Sequence, residues 1–213
     1  AAKLQLALVP VNTSFFKLQI NDAMLGQVNP DMKSELDLSF AKIENTIMDS
    51  IAASDDRVVI HQALKHLVVA GNALVFMGKD GLKLFPLHRY VIERDGNGNV
   101  IEIVTKEKIS KKLLPDFEDD LTVQDESEHS DNVDVYTHVR RDNNRFLWHQ
   151  EVNDKIIPKS VSKSPVETTP WLPLRFNTVD GEPYGRGRVE EFMGDLKSLE
   201  ALSQAITEGS AAA

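Results

Sequence analysis

The sequence contains no cysteine. That excludes disulfide staples, zinc ribbons and thiol nucleophiles, and it suits a reducing compartment. It also lacks any apolar run near the roughly 20 residues that a membrane-spanning helix requires. The first residues, Ala1-Ala-Lys-Leu-Gln-Leu-Ala-Leu8, have neither the basic start nor the cleavage site of a secretory signal. A cytosolic protein with no membrane partner is the expectation. Missing as well is the basic excess usual in nucleic-acid binders, since 33 acids face 24 Lys and Arg for a formal charge of −9. Nine of those acids (Asp116, Glu118, Asp119, Asp120, Asp125, Glu126, Glu128, Asp131 and Asp134) sit between Pro115 and Asp134 with no Lys or Arg among them. Without them, 24 acids balance 24 bases. One acidic segment therefore supplies the whole net charge, and such a block reads as a solvated loop.

Catalytic signatures are absent too. The six histidines, at positions 61, 66, 88, 129, 138 and 149, include no HExxH pattern, and His61 and His66 point to different faces of a helix. There is no GxSxG elbow, no Ser-Lys motif and no phosphate-binding loop; Gly96-Asn97-Gly98 belongs to a hairpin. Neither a cofactor nor a metal is expected. Glu190, Glu191 and Asp195 could form a carboxylate group, yet acids in the first turns of a helix are what the helix dipole favours. Arg186 and Arg188 at the same end are opposed by that dipole and need an anion: Glu190 or Glu191, a neighbouring subunit, or nucleic acid. Tyr184-Gly185-Arg186-Gly187 also suits phosphate contact with base stacking. A glycine loop entering a helix explains the same residues without a ligand.

What is present is an ordinary globular composition, 41% apolar and 27% charged over 213 residues. The patterning predicts an α+β fold. Residues 3–9 read as a helix closed by Pro10, and residues 15–20 alternate as a half-buried strand. Asn29-Pro30-Asp31 starts a long amphipathic helix along Leu36, Phe40, Ile43, Ile47 and Ile51. Ser54-Asp55-Asp56 caps a second helix that ends near Gly71-Asn72. A strand at 73–77 turns through Gly78 to Gly81 into another at 82–84, and residues 90–105 form a hairpin around Asp95-Gly96-Asn97-Gly98. A short helix is expected at 106–114, then an antiparallel meander of strands at 133–140, 146–152 and 155–157. After a Ser/Thr/Pro stretch, residues 171–176 form a last strand that Pro173 confines to an edge. A helix from 187 to 208 closes the chain, with Val189, Phe192, Met193, Leu196, Leu199, Leu202 and Ile206 on one face.

The segment Gly181-Glu-Pro-Tyr-Gly-Arg-Gly-Arg-Val-Glu-Glu-Phe-Met-Gly-Asp-Leu-Lys-Ser-Leu-Glu200 resembles the head-to-tail connector (portal) family of short-tailed, podovirus-type bacteriophages. Leu67-Val-Val-Ala-Gly-Asn72, the hairpin Arg94-Asp95 to Val100, the strand Asp134-Val-Tyr-Thr-His138 and Ala2-Lys-Leu-Gln-Leu-Ala-Leu-Val-Pro10 are similar to the same family in the same order. The resemblance implies a structural protein rather than an enzyme. It implies a homo-oligomeric ring, in the family's common form a homododecamer, at one capsid vertex of the virion and assembled in the host cytoplasm. Double-stranded DNA would pass through its channel during packaging and ejection; capsid and scaffolding proteins, terminase and tail adaptors would be its partners. Residues 1–176 would be the wing domain, with an acidic loop at about 115–134. Residues 177–213 would be a loop and the start of a channel-lining stem helix, with clip, second stem helix and crown beyond; the native polypeptide is expected to extend past both ends. Arg186, Arg188, Glu190, Glu191 and Lys197 are the candidates for subunit contacts or the channel wall. Two alternatives stay open: another ring-forming virion protein such as a tail adaptor, and a metal-dependent phage enzyme using Glu190, Glu191 and Asp195.

Overall fold

The computed structural model describes residues 1–11, 13–19, 30–114 and 132–212. Among the described residues, helices α1 (Ala2–Leu8), α2 (Pro30–Ala53) and α3 (Asp56–Ala70) come first, then nine strands, and then two helical pieces. Strands β1 (Asn72–Gly78), β2 (Gly81–Phe85) and β9 (Trp171–Arg175) form a three-stranded antiparallel sheet in the order β2-β1-β9. The second sheet runs β3 (Tyr90–Arg94), β4 (Val100–Ser110), β5 (Asn132–Asp142), β6 (Arg145–Val152) and β7 (Lys155–Ile156), with β8 (Ser162–Pro165) also on β6. Pro173 lies on an edge strand as its missing amide hydrogen requires.

The apolar run Ala73-Leu-Val-Phe76 does not alternate because β1 is buried on both faces. Ala73 and Val75 pack with Ala63, Leu64 and Leu67 of α3, while Leu74 joins Phe85, Trp171, Ile92, Ile103, Val139 and Phe146 between the two sheets. The result is three layers: a helix, a small sheet and a large sheet. Lys83 of β2 reaches across to Glu107 of β4, an ion pair that joins the sheets. Asn153 and Asp154, with φ of 49° and 62°, make the left-handed two-residue turn between β6 and β7.

Four expectations change. Residues 15–19 are not a strand; the Leu18 amide instead donates to the Glu44 carboxylate of α2 at 2.6 Å. Ile20, the last residue of that reading, lies outside the described residues. The helix expected at 106–114 is the far half of β4 followed by one 3₁₀ turn at Lys111–Leu113. Long-range pairing from Lys106↔Tyr136 to Ser110↔Asn132 overrides the helix preference of Lys and Glu. Asp56 does not cap α3; its carboxylate accepts from the Leu82 amide on β2 at 2.7 Å. The Ser/Thr/Pro stretch contains β8, whose polar residues pair with β6 from Arg145↔Pro165 to Trp148↔Ser162. The acidic loop lies outside the described residues from 115 to 131, and Asn132 to Asp134 already belong to β5.

Candidate functional site at the joint before the terminal helix

Two glycine-bearing segments far apart in sequence meet where the sheets give way to the closing helix. Gly71 ends α3 in the left-handed conformation, φ 76°. A Cβ there would stand 2.3 Å from the carbonyl carbon of Arg186, and one on Gly187 would stand 2.2 Å from the carbonyl oxygen of Val69. Only glycine lets these two backbones touch. Asn72 is buried beside them. Its Nδ2 donates to the carbonyls of Ala70 at 2.9 Å and Gly185 at 2.7 Å, and its Oδ1 accepts from the Gly185 amide at 2.7 Å. One side chain thereby satisfies both backbone polar groups of the buried residue Gly185, which would otherwise carry a desolvation cost.

The same loop is pinned to both sheets. The Phe176 amide donates to the Gly71 carbonyl at 2.8 Å, and the Arg186 amide donates to the Asn177 carbonyl at 2.8 Å. Tyr184 packs against the inter-sheet core, and its hydroxyl accepts from the Ile92 amide at 3.0 Å. Arg94 donates to three carbonyls, those of Pro183 at 3.0 Å, Gly98 at 2.9 Å and Pro173 at 3.1 Å. Burial first, and the nearby Arg175 second, lower its pKa from the ordinary guanidinium value. Burial also raises the Tyr90 phenol, helped by Tyr184 and opposed by Arg94.

Beyond the loop, α4 (Arg188–Glu191) is one short turn, and Phe192, at φ −109° and ψ 21°, separates it from α5 (Met193–Ala212). The single helix expected from 187 to 208 is thus interrupted at its start. Arg186 pairs with Glu182 at 2.8 Å and with Glu190 at 3.7 Å; the Glu182 hydrogen bond is the main cause that raises its pKa. Arg188 pairs with Glu191 at 3.0 Å and lies over the rings of Phe176 and Phe192, at 5.4 and 5.9 Å. Glu191 also accepts from the Asn177 side chain. Lys197 stands apart on α5, without an ion pair to a described residue. Exposed pairs of this kind are screened by solvent and add little stability, so they orient the loop more than they hold it.

Glu190 and Glu191 are each turned to an arginine, and among the described residues no group of three or more His, Asp or Glu comes together to hold a metal. Tyr184 is engaged in the core and so does not offer a ring for base stacking.

Residues 1–213, the whole chain, match the family described as bacteriophage head to tail connecting protein. The chain belongs to this family. The portal proteins of Enterobacteria phage T3, Escherichia phage T7 and Enterobacteria phage SP6 are 38%, 36% and 31% identical to it over 98%, 98% and 99% of its length. It spans 41%, 41% and 42% of theirs. In this head to tail connecting chain the two motifs that carried the resemblance, Gly71-Asn72 and Gly185-Arg186-Gly187, are in direct contact. The sequence reading missed Arg94 and Asn177. Arg94 stands at the end of a strand, where a lone cation reads as surface; its three carbonyl partners come from separate segments and leave no local signal.

Proposed function

We propose that the chain is the wing part of a portal subunit, residues 1–176, together with a loop and the start of a channel-lining stem helix, residues 177–213. Such subunits form a ring, a dodecamer in this reading, at one vertex of the phage capsid, where DNA enters and leaves. The role is structural and not enzymatic. The observation that supports it is α5: every residue from Glu190 to Ala211 is exposed in this chain, although Leu196, Leu199, Leu202 and Ile206 form an apolar stripe. Helices in proteins owe most of their stability to packing such a face, and burying each of these side chains would contribute about 1.5–3 kcal/mol. Neighbouring subunits and the remaining length of the protein are the cover this stripe fits.

Within this reading Arg186, Arg188, Glu190 and Glu191 fix the angle at which the helix leaves the wing. Lys197, with no ion pair to a described residue, is the candidate for contact with a neighbour or the channel wall. Capsid and scaffolding proteins, terminase and tail adaptors are the partners, and assembly takes place in the host cytoplasm. The wing, residues 1–176, has 26 acids against 21 Lys and Arg, and its lack of a basic excess suits a conduit, because dense phosphate neutralisation would make DNA bind rather than slide. Electron microscopy of the full-length protein tests the proposal. A closed ring with an axial channel and α5 beside it is expected; a monomer, or a ring with α5 on its outer rim, overturns it.

A further inference from the structure

At the end of the two sheets nearest the β3–β4 turn lies a cavity of about 320 Å³, roofed by Trp171 and Pro173 of β9 and floored by Phe146 of β6. Val166 closes one side, and two guanidinium groups, Arg94 and Arg141, line the rest. Among the described residues no carboxylate lines it. The neighbouring hollow over the turn, by contrast, sets Asp95, Asp180 and Glu182 against the single cation Arg175.

Neither arginine is neutralised by a carboxylate in an ion pair. Arg94 is spent on three carbonyls and keeps its charge. Arg141 donates through Nε to the Asn143 carbonyl at 3.2 Å, and its two Nη groups make no hydrogen bond to a described residue. Asp95, which feels Arg141, is held by Asn97 and Asn99 in its own turn. Trp171 is only 5% exposed and lends its ring to the lining.

An apolar lining and two guanidinium groups describe one kind of ligand. We propose that this inter-sheet cavity binds an apolar group bearing a carboxylate, the hydrocarbon against Phe146, Trp171 and Pro173 and the carboxylate at the Nη groups of Arg141. The planar guanidinium fork matches a carboxylate in a bidentate pair. Either a small organic acid or the C-terminal carboxylate of a polypeptide ending in an apolar residue supplies that chemistry. The site is independent of the ring reading above.

The test uses phenylpropionate, its neutral amide, and a short peptide ending in phenylalanine with a free or an amidated C-terminus. The readout is the indole N–H signals of the two tryptophans in proton–nitrogen correlation spectra; Trp148 does not line the cavity but stands edge-on to Trp171 at 6.4 Å, so a smaller shift is expected there. A saturable shift of the Trp171 signal is expected with phenylpropionate below about 10 mM, weakened at least about tenfold for the amide and for Arg141→Gln. Arg141→Lys, which keeps the charge, should recover part of the affinity and shows that the variant site is folded. Tighter binding of the free-acid peptide than of phenylpropionate assigns the site to a polypeptide terminus, and the reverse order assigns it to a small acid. Equal binding of acid and amide, an unchanged affinity in Arg141→Gln, or no saturable shift overturns the proposal.

Discussion

The joint around Gly71 and Gly187 and the helix α5 that follows it are built by opposite means. At the joint, buried backbones touch and Asn72 pairs with both the amide and the carbonyl of Gly185; along α5 every described residue up to Ala211 is exposed. The joint is complete within one chain, whereas the helix needs a surface that the chain does not supply. In the proposed reading, a wing that presents such a helix at a fixed angle lets a subunit fold alone and still require assembly. The exchange of stability for incompleteness takes place within a few residues, between Gly187 and Phe192.

Breaking the joint should cost most. Gly187→Ala or Gly71→Ala forces a Cβ into backbone at 2.2 or 2.3 Å, and denaturant unfolding should show a loss of at least about 3 kcal/mol or no folded protein. Asn72→Ala leaves the Gly185 amide and carbonyl buried and unsatisfied, and a loss of about 2–4 kcal/mol is expected in the same measurement. Tyr184→Phe removes only the acceptor for the Ile92 amide; a cost of about 0.5–1.5 kcal/mol and faster exchange of that amide are expected. The helix should answer differently. Leu199→Ser with Leu202→Ser should move the stability of this chain by less than about 0.5 kcal/mol, while ring formation by the full-length protein is lost. A large loss in the isolated chain would erase the contrast between the two regions.

The smallest effect is one of pH. The Asp95 carboxyl is held below the usual carboxylate range, first by the Asn99 side chain, then by the Asn99 amide. A depressed folded pKa stabilises the turn above the unfolded value of roughly 3.9, and the benefit is lost as pH falls through the folded value. Amide signals of Asn97 and Asn99 should therefore stay constant at neutral pH and shift only in acid below that value.

Much of this architecture was legible beforehand because its causes are local. Proline and aspartate at the start of α2, glycine at the end of α3, the Gly-Asn turns and the non-alternating run of β1 each follow from backbone sterics or burial within a few residues. The far half of β4 and the strand β8 were not legible, since Lys106-Glu-Lys-Ile-Ser110 and Ser162-Lys-Ser-Pro165 become strands only through partners some 25 and 15 residues away. For the candidate site the sequence marked the right stretch and left its roles open. Of the readings offered for Tyr184 and Arg186, the ligand-free one holds within this chain: Tyr184 is part of the core, and Arg186 is paired with Glu190, as expected, and with Glu182.

Sequence alone determined the α+β class, the helices from Pro30 to Ala70, the hairpin at residues 90–105 and the family. Tertiary structure alone decided that Gly71-Asn72 and Gly185-Gly187 are two halves of one contact, that Arg94 ties three segments together, and that the closing helix breaks at Phe192. The physical reason is the same in each case. A residue's conformational preference is written in its own chemistry, but a close approach between backbones, or a donor's choice of carbonyl, exists only once distant segments have been brought together.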